Sequence, residues 1–157
     1  ALLKFFKECE GKGIQPIAGA DVWVQESEEP ARLTLLCQDR AGYRNLCILL
    51  SRAYGEGRQL DRPVLQRDWL PGHTEGLVAL SGGMEGEIGR LLLAGREETA
   101  ALQLRRWMRL FPDAYYLELS RCGRPQEDVL TLATAQLAAN VGCPAVATND
   151  VRFLASL

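Results

Sequence analysis

A single histidine in 157 residues leaves little material for acid–base or metal catalysis. A divalent-metal phosphoesterase gathers several histidine and aspartate ligands on one ion, so that a bound water is deprotonated near neutral pH. His73 lies in Trp69-Leu70-Pro71-Gly72-His73, ahead of a strand rather than behind one, and reads as a loop residue. Cys9, Cys37, Cys47, Cys122 and Cys143 form no Cys-x-x-Cys pair and are odd in number, which argues against a zinc knuckle and against a disulfide framework. Reduced thiols and a cytoplasmic location fit this usage. No apolar run approaches the roughly 20 residues that span a bilayer, and no basic segment with an apolar stretch behind it opens the chain. A basic surplus is missing too: 18 Lys and Arg face 20 Asp and Glu, for a net charge of −2. Modules that hold nucleic acid by neutralising phosphates show the opposite balance, so free-standing DNA binding is not expected. What is present is an ordinary globular composition, 47% hydrophobic and 24% charged, at a length that suits one domain over residues 1–157.

Leu2, Phe5, Phe6 and Cys9 share one face of an opening helix that Gly11 and Gly13 end. Ile14 to Gln25 and Arg32 to Gln38 then read as strands around the polar turn Glu26-Ser27-Glu28-Glu29-Pro30. Asp39 caps a second helix, whose spacing predicts Tyr43, Leu46, Cys47, Leu50 and Tyr54 inward. Gly55 to Gly72 reads as a connection, with Pro63 starting a short helix that carries Leu65 and Trp69. A strand over Gly76–Ser81 precedes a helix presenting Ile88, Leu91 and Leu92. Arg96 to Phe111 reads as a longer helix with Ala100, Leu104, Trp107, Met108 and Phe111 inward. Ala114–Leu119 and Pro144–Ala147 read as strands flanking a helix over Gln126–Val141, with Val129, Leu132, Ala133 and Leu137 inward. Strands alternating with helices signal an α/β fold, mostly parallel strands joined by crossover helices.

In such folds functional groups gather past the carboxyl ends of the strands. That placement selects Gly19-Ala20-Asp21, Ser81-Gly82-Gly83, Ser120-Arg121-Cys122-Gly123 and Thr148-Asn149-Asp150-Val151-Arg152. Asp21 and Asp150 serve either as strand-end caps paired with an arginine or as functional carboxylates. Ser81-Gly82-Gly83 could offer backbone N–H groups to a phosphate, but it lacks the Lys and Ser/Thr of a P-loop and reads better as a tight turn. Cys122 stands between Arg121 and Arg124 with no histidine placed as its base, which argues against a thiol enzyme.

Five phrases carry a resemblance: Gly13-Ile14-Gln15-Pro16-Ile17-Ala18-Gly19-Ala20-Asp21, Gly42-Tyr43-Arg44-Asn45-Leu46, Glu75-Gly76-Leu77-Val78-Ala79-Leu80-Ser81-Gly82, Tyr116-Leu117-Glu118-Leu119 and Ala147-Thr148-Asn149-Asp150-Val151. In this order and spacing they resemble the PHP domain of the alpha subunit of bacterial DNA polymerase III, nearly end to end. The resemblance implies a distorted (β/α) barrel at the amino end of a replicative DNA polymerase. It makes this chain an internal fragment of that barrel, with the opening strands and their paired histidines upstream. An edge or apolar face left uncovered by those strands would favour self-association. Polymerisation, a two-metal nucleotidyl transfer using Mg, would belong to residues beyond this chain. Metal-binding members of the family place Glu at Asp21, Cys at Gly83, His at Cys122, Asp at Asp150 and His at Arg152. The resemblance therefore implies a metal-free branch, with no catalytic or cofactor-binding residue here. In that branch the domain supports the polymerase and docks the proofreading exonuclease subunit, among other replicase subunits, and meets DNA only through the polymerase. The alternative is an active metal-dependent PHP phosphoesterase or nuclease. In the metal-free reading, Arg152 would replace the ion's charge by bridging to Asp150 or Asp21.

Overall fold

The computed structural model describes residues 2–25, 29–59 and 62–149. Along the chain come α1 (Leu2–Gly11), β1 (Gly19–Gln25), β2 (Ala31–Cys37), α2 (Arg40–Glu56), β3 (Arg58–Gln59), β4 (Arg62–Gln66), β5 (Leu77–Leu80), α3 (Glu87–Leu93), α4 (Glu97–Leu110), β6 (Tyr115–Ser120), α5 (Glu127–Val141) and β7 (Ala145–Thr148). The strands form one sheet in the order β3-β4-β1-β2-β5-β6-β7. β1, β4, β5, β6 and β7 run in one direction; β2 opposes both of its neighbours, and β3 opposes β4. This is the expected α/β architecture with mostly parallel strands. Among the described residues β3 and β7 do not meet, so the sheet stays open, as in a partial barrel.

Period-2 alternation gives the sheet two unlike faces. Val22, Val24, Leu33, Leu35, Leu77, Ala79, Tyr115 and Leu117 turn to the helices and are buried. They meet Leu46, Leu49 and Ala53 of α2, Ile88 of α3, Ala100, Leu104 and Trp107 of α4, and Leu130 and Leu137 of α5. The residues between them, Asp21, Arg32, Thr34, Tyr116, Glu118, Ser120 and Thr148, face the other way and stay at least partly exposed. The polar face is the one that carries the candidate site.

Two helices present a different face from the one their spacing predicts. In α2 the buried residues are Gly42, Leu46, Leu49 and Ala53, while Tyr43 and Tyr54 are exposed. Asp39 fixes the starting phase, because its carboxylate accepts the Gly42 N–H at 2.9 Å. Gly42 then lies against the backbone of Gly76, so close that a Cβ there would overlap the Gly76 carbonyl oxygen. Small residues set the approach, and the tyrosines turn outward. In α5 the buried set is Glu127, Leu130, Thr134, Leu137 and Ala138, leaving Val129 and Leu132 exposed. Leucine, valine and alanine occur all round this helix, so spacing alone admits two phases, and the anchoring of Glu127 described below selects one.

Gly55–Gly72 is not the simple connection expected. It holds β3 and β4, and Pro63 lies within β4 rather than starting a helix. Val64 and Leu65 are fully buried, and the Val64 N–H donates to the Gly57 carbonyl at 2.8 Å. Proline is tolerated because β4 is next to the sheet edge, where a missing donor matters least. Beyond the end of α2, the described residues of this stretch hold one further helical piece, a 3₁₀ turn over Arg67–Trp69.

Cysteine exposure varies widely: Cys47 and Cys122 are exposed and Cys143 is buried. Burial pushes the Cys143 thiol up to about 11, against a smaller lowering by a backbone hydrogen bond from Leu117. Since the thiolate is the nucleophile, iodoacetamide at about pH 8, close to an ordinary thiol's own value, should label Cys47 and Cys122 in the folded chain. Cys143 should react only on unfolding. Mass spectrometry of the labelled peptides checks this; early labelling of Cys143 would contradict the core described here.

Candidate functional site

Strand register brings the polar groups together. Asp21 pairs with Thr34, and Thr34 pairs with Leu80, so Asp21 lies level with the carboxyl end of β5. It was expected just past the end of its own strand, yet it is the third residue of β1. β1 continues to Gln25 because β4 pairs with its second half. From this position the Asp21 carboxylate accepts the Thr34 hydroxyl at 2.6 Å and the Arg32 guanidinium at 2.9 Å. Arg32 also donates to Glu85 at 3.2 Å, in the 3₁₀ turn Gly83–Glu85. Burial works against the charge of Arg32, but Asp21 and Glu85 more than offset it, and the guanidinium pKa is raised.

The turn after β5 is occupied from within. The Gly82 N–H donates to a Glu118 carboxylate oxygen at 2.6 Å, and the Glu118 N–H donates to the Ser81 hydroxyl at 3.0 Å. An anion seeking the Gly82 N–H therefore meets a carboxylate already in place. Gly82 has φ 78, and a Cβ there would overlap the Arg32 carbonyl, so glycine is required at this close approach. Gly83 faces open space and offers no side chain.

A second carboxylate fills the loop after β6. Glu127 accepts N–H groups from Cys122 at 2.6 Å, Gly123 at 2.8 Å and Arg124 at 3.2 Å. Successive N–H groups converging this way form an anion-binding nest. Burial alone would raise the Glu127 pKa, but the three backbone donors prevail and it is lowered. The Cys122 thiol donates to Asn149 Oδ1 at 3.2 Å and lies 3.2 Å from the Ser120 hydroxyl.

Arg32, Gly83, Glu85, Glu118, Ser120, Glu127 and Asn149 line one small cavity of about 90 Å³. Of the positions singled out in the sequence, Gly83 lines this cavity, and Asp21 and Cys122 touch its wall through Arg32 and through Ser120 and Asn149. Asp150 and Arg152 lie outside the described residues, and with them the expected Arg152 bridge. The cation that holds Asp21 is Arg32, which sequence reasoning missed along with Glu85, Glu118 and Glu127. A signal existed: Arg32 and Thr34 alternate with Leu33 and Leu35, placing them on the polar face. His73 lies beyond the opposite end of β5, as expected of a loop residue. Among the described residues no three His, Cys, Asp or Glu side chains are arranged to hold a metal ion.

Replacing Arg32 by alanine leaves Asp21 and Glu85 facing each other and Glu118 without their common cation. Because Asp21 and Glu85 are about half exposed, solvent screening limits the loss to about 1 kcal/mol. Arg32→Lys should recover part of it. Urea titration of both variants measures the difference, and an Arg32→Ala variant as stable as the parent would show that the bridge contributes nothing.

A PHP domain family profile matches residues 1–122. The chain is 45% identical to the DNA polymerase III subunit alpha of Pseudomonas aeruginosa, over 98% of this chain and 13% of that protein. It is 44% identical to the DNA polymerase III subunit alpha of Escherichia coli strain K12, over 99% of this chain and 14% of that protein. The corresponding protein of Vibrio cholerae is 40% identical, over 98% and 14%. The chain therefore spans only about one seventh of these relatives' length. Among the described residues no helix is long and apolar enough to cross a membrane.

Proposed function

The chain belongs to the PHP domain family, and we propose that it is the non-catalytic PHP portion of a replicative DNA polymerase subunit acting in the cytoplasm. The parent chain would carry out DNA-templated DNA synthesis with Mg, through residues outside this segment. The observation that carries the non-catalytic reading is the state of the strand-end cluster. A divalent cation needs free donors. Here Asp21 is held by a guanidinium, Gly83 has no side chain, the Cys122 thiol is hydrogen-bonded, and the Glu118 and Glu127 carboxylates accept backbone N–H groups. Among the described residues, those at the family's metal positions do not offer the free ligands such an ion needs. A cluster whose carboxylates are engaged by a guanidinium or by backbone N–H groups stiffens the end of the sheet instead.

For the whole protein the role is support of the polymerase and docking of the proofreading exonuclease subunit. Deleting the PHP segment from the full-length protein should abolish exonuclease-subunit binding in a pull-down while the polymerase remains folded. Unchanged binding would overturn the docking role.

A further inference from the structure

The outward rotation of α2 leaves a stripe that the core does not use. Tyr43, Ile48 and Tyr54 are 46%, 41% and 62% exposed. Arg40 and Arg44 stand beside them one helical turn apart, and neither has an ion pair or a side-chain hydrogen bond among the described residues. The neighbouring Arg52, by contrast, is engaged: it pairs with Glu56 at 3.0 Å and lies 4.2 Å over the Trp69 ring. Between this stripe and the turn ahead of β5 runs a groove of about 940 Å³, lined by Arg40, Tyr43, Arg44, Ile48, His73 and Glu75. Asn45 donates to the Glu75 carbonyl at 2.9 Å and fixes the turn against the helix, so the groove has a rigid wall. In that wall His73 Nδ1 is shielded from water and has no hydrogen-bond partner among the described residues, a condition buried polar atoms rarely tolerate.

We propose that this groove docks an acidic segment of a partner protein bearing leucine or phenylalanine side chains. Two free guanidiniums on one helix face match carboxylates one turn apart, each by a forked pair of N–H donors. Tyrosine and arginine dominate protein–protein anchors, and the exposed Ile48, beyond Arg44 on the same helix, adds an apolar contact along the groove. A phosphate backbone fits less well, because Glu75 lies in the groove and the chain as a whole carries a net charge of −2. The site is on the helical side of the sheet, opposite the strand-end cluster, and does not depend on how that cluster is read.

The test uses the full-length protein and a fluorescein-labelled peptide of about twelve residues, enough to follow a groove of this kind, rich in Glu and Asp with two Leu and one Phe. A twin with Lys for every acid and a labelled oligothymidylate serve as competitors of other chemistry. Fluorescence anisotropy should show binding of the acidic peptide that weakens with salt. Arg40→Glu with Arg44→Glu should raise its Kd at least about tenfold, and Ile48→Glu should weaken it independently. All three positions are exposed, so melting followed by circular dichroism should be unchanged. No binding of the acidic peptide, equal binding of the basic twin or the oligonucleotide, or full affinity in the double variant would each overturn the proposal.

Discussion

Trp107→Ala is expected to destabilise the chain by about 3–5 kcal/mol, the range for deleting a buried tryptophan. Trp107 is 4% exposed and sits where α4 meets the sheet. Its ring stacks on Tyr115 at 5.8 Å between centroids and lies 6.4 Å from Phe111. Arg67 lies 4.1 Å over the same ring, and the indole N–H donates to Glu87 at 2.7 Å. Glu87 in turn pairs with Arg67 at 3.4 Å, so one side chain organises a buried cation, its counter-ion and two aromatic rings. Burial lowers the Arg67 pKa, with Glu87 acting in the opposite sense. Losing the indole removes the cation's aromatic neighbour and opens a cavity beside a charge that already pays for desolvation. Against a total stability of about 5–15 kcal/mol, that loss is a fifth or more. Trp107→Phe keeps the apolar volume largely in place but removes the indole N–H that Glu87 accepts, leaving it the longer Arg67 contact, and should fall between parent and alanine. Urea unfolding followed by circular dichroism measures all three; an alanine variant within about 1 kcal/mol of the parent, the size of one ordinary hydrogen bond, would refute this arrangement.

Gly42→Ala should act against its own helix propensity. In an exposed helix interior the change stabilises by roughly 0.5–1 kcal/mol. At Gly42 the added Cβ would overlap the Gly76 carbonyl, which is backbone and cannot rotate away. Either α2 lifts off β5 or the turn at Gly76 deforms, and that turn also carries the Gln38 N–H bond to the Gly76 carbonyl at 2.9 Å. Overpacking of this kind costs about 1–3 kcal/mol, or more where backbone must move. Gly55 is the control, since it lies on the same helix with open space around its Cβ direction. Gly55→Ala should be neutral or stabilising by the propensity difference. Thermal melts of the two variants should therefore move in opposite directions; a stabilised Gly42→Ala would mean that α2 is not seated as described.

The phrases that made the family recognisable turn out to be packing devices. Gly42 and Asn45 from one meet Gly76 and Glu75 from another, joining α2 to the turn before β5. Glu118 from a third closes on Gly82, and Asn149 from a fourth accepts the Cys122 thiol. Alternation of strands and helices was legible because periods of two and 3.6 residues are carried by many positions at once. Helix phase was not legible in α2 and α5, because the deciding residues were a glycine and a buried glutamate, neither of which enters an apolar stripe. Pro63 misled for a related reason: proline marks breaks in most contexts, and only the neighbouring strand tells that β4 lies near an edge. At the site, Asp21, Gly83 and Cys122 were selected by their places at strand ends, and the resemblance marked them as metal positions. Arg32 was hidden because a strand arginine looks like a solvated one until its register across the sheet is known.

The most direct test of a non-catalytic cluster is zinc titration of the purified full-length protein by calorimetry, with elemental analysis of the starting sample and a phosphoesterase assay before and after chelation. A cluster whose carboxylates are already engaged by Arg32 and by backbone donors should show neither stoichiometric zinc nor a saturable heat of binding assignable to this domain, and no chelator-sensitive hydrolysis. Stoichiometric zinc held by the domain, with phosphoesterase turnover that chelation removes and zinc restores, would contradict it.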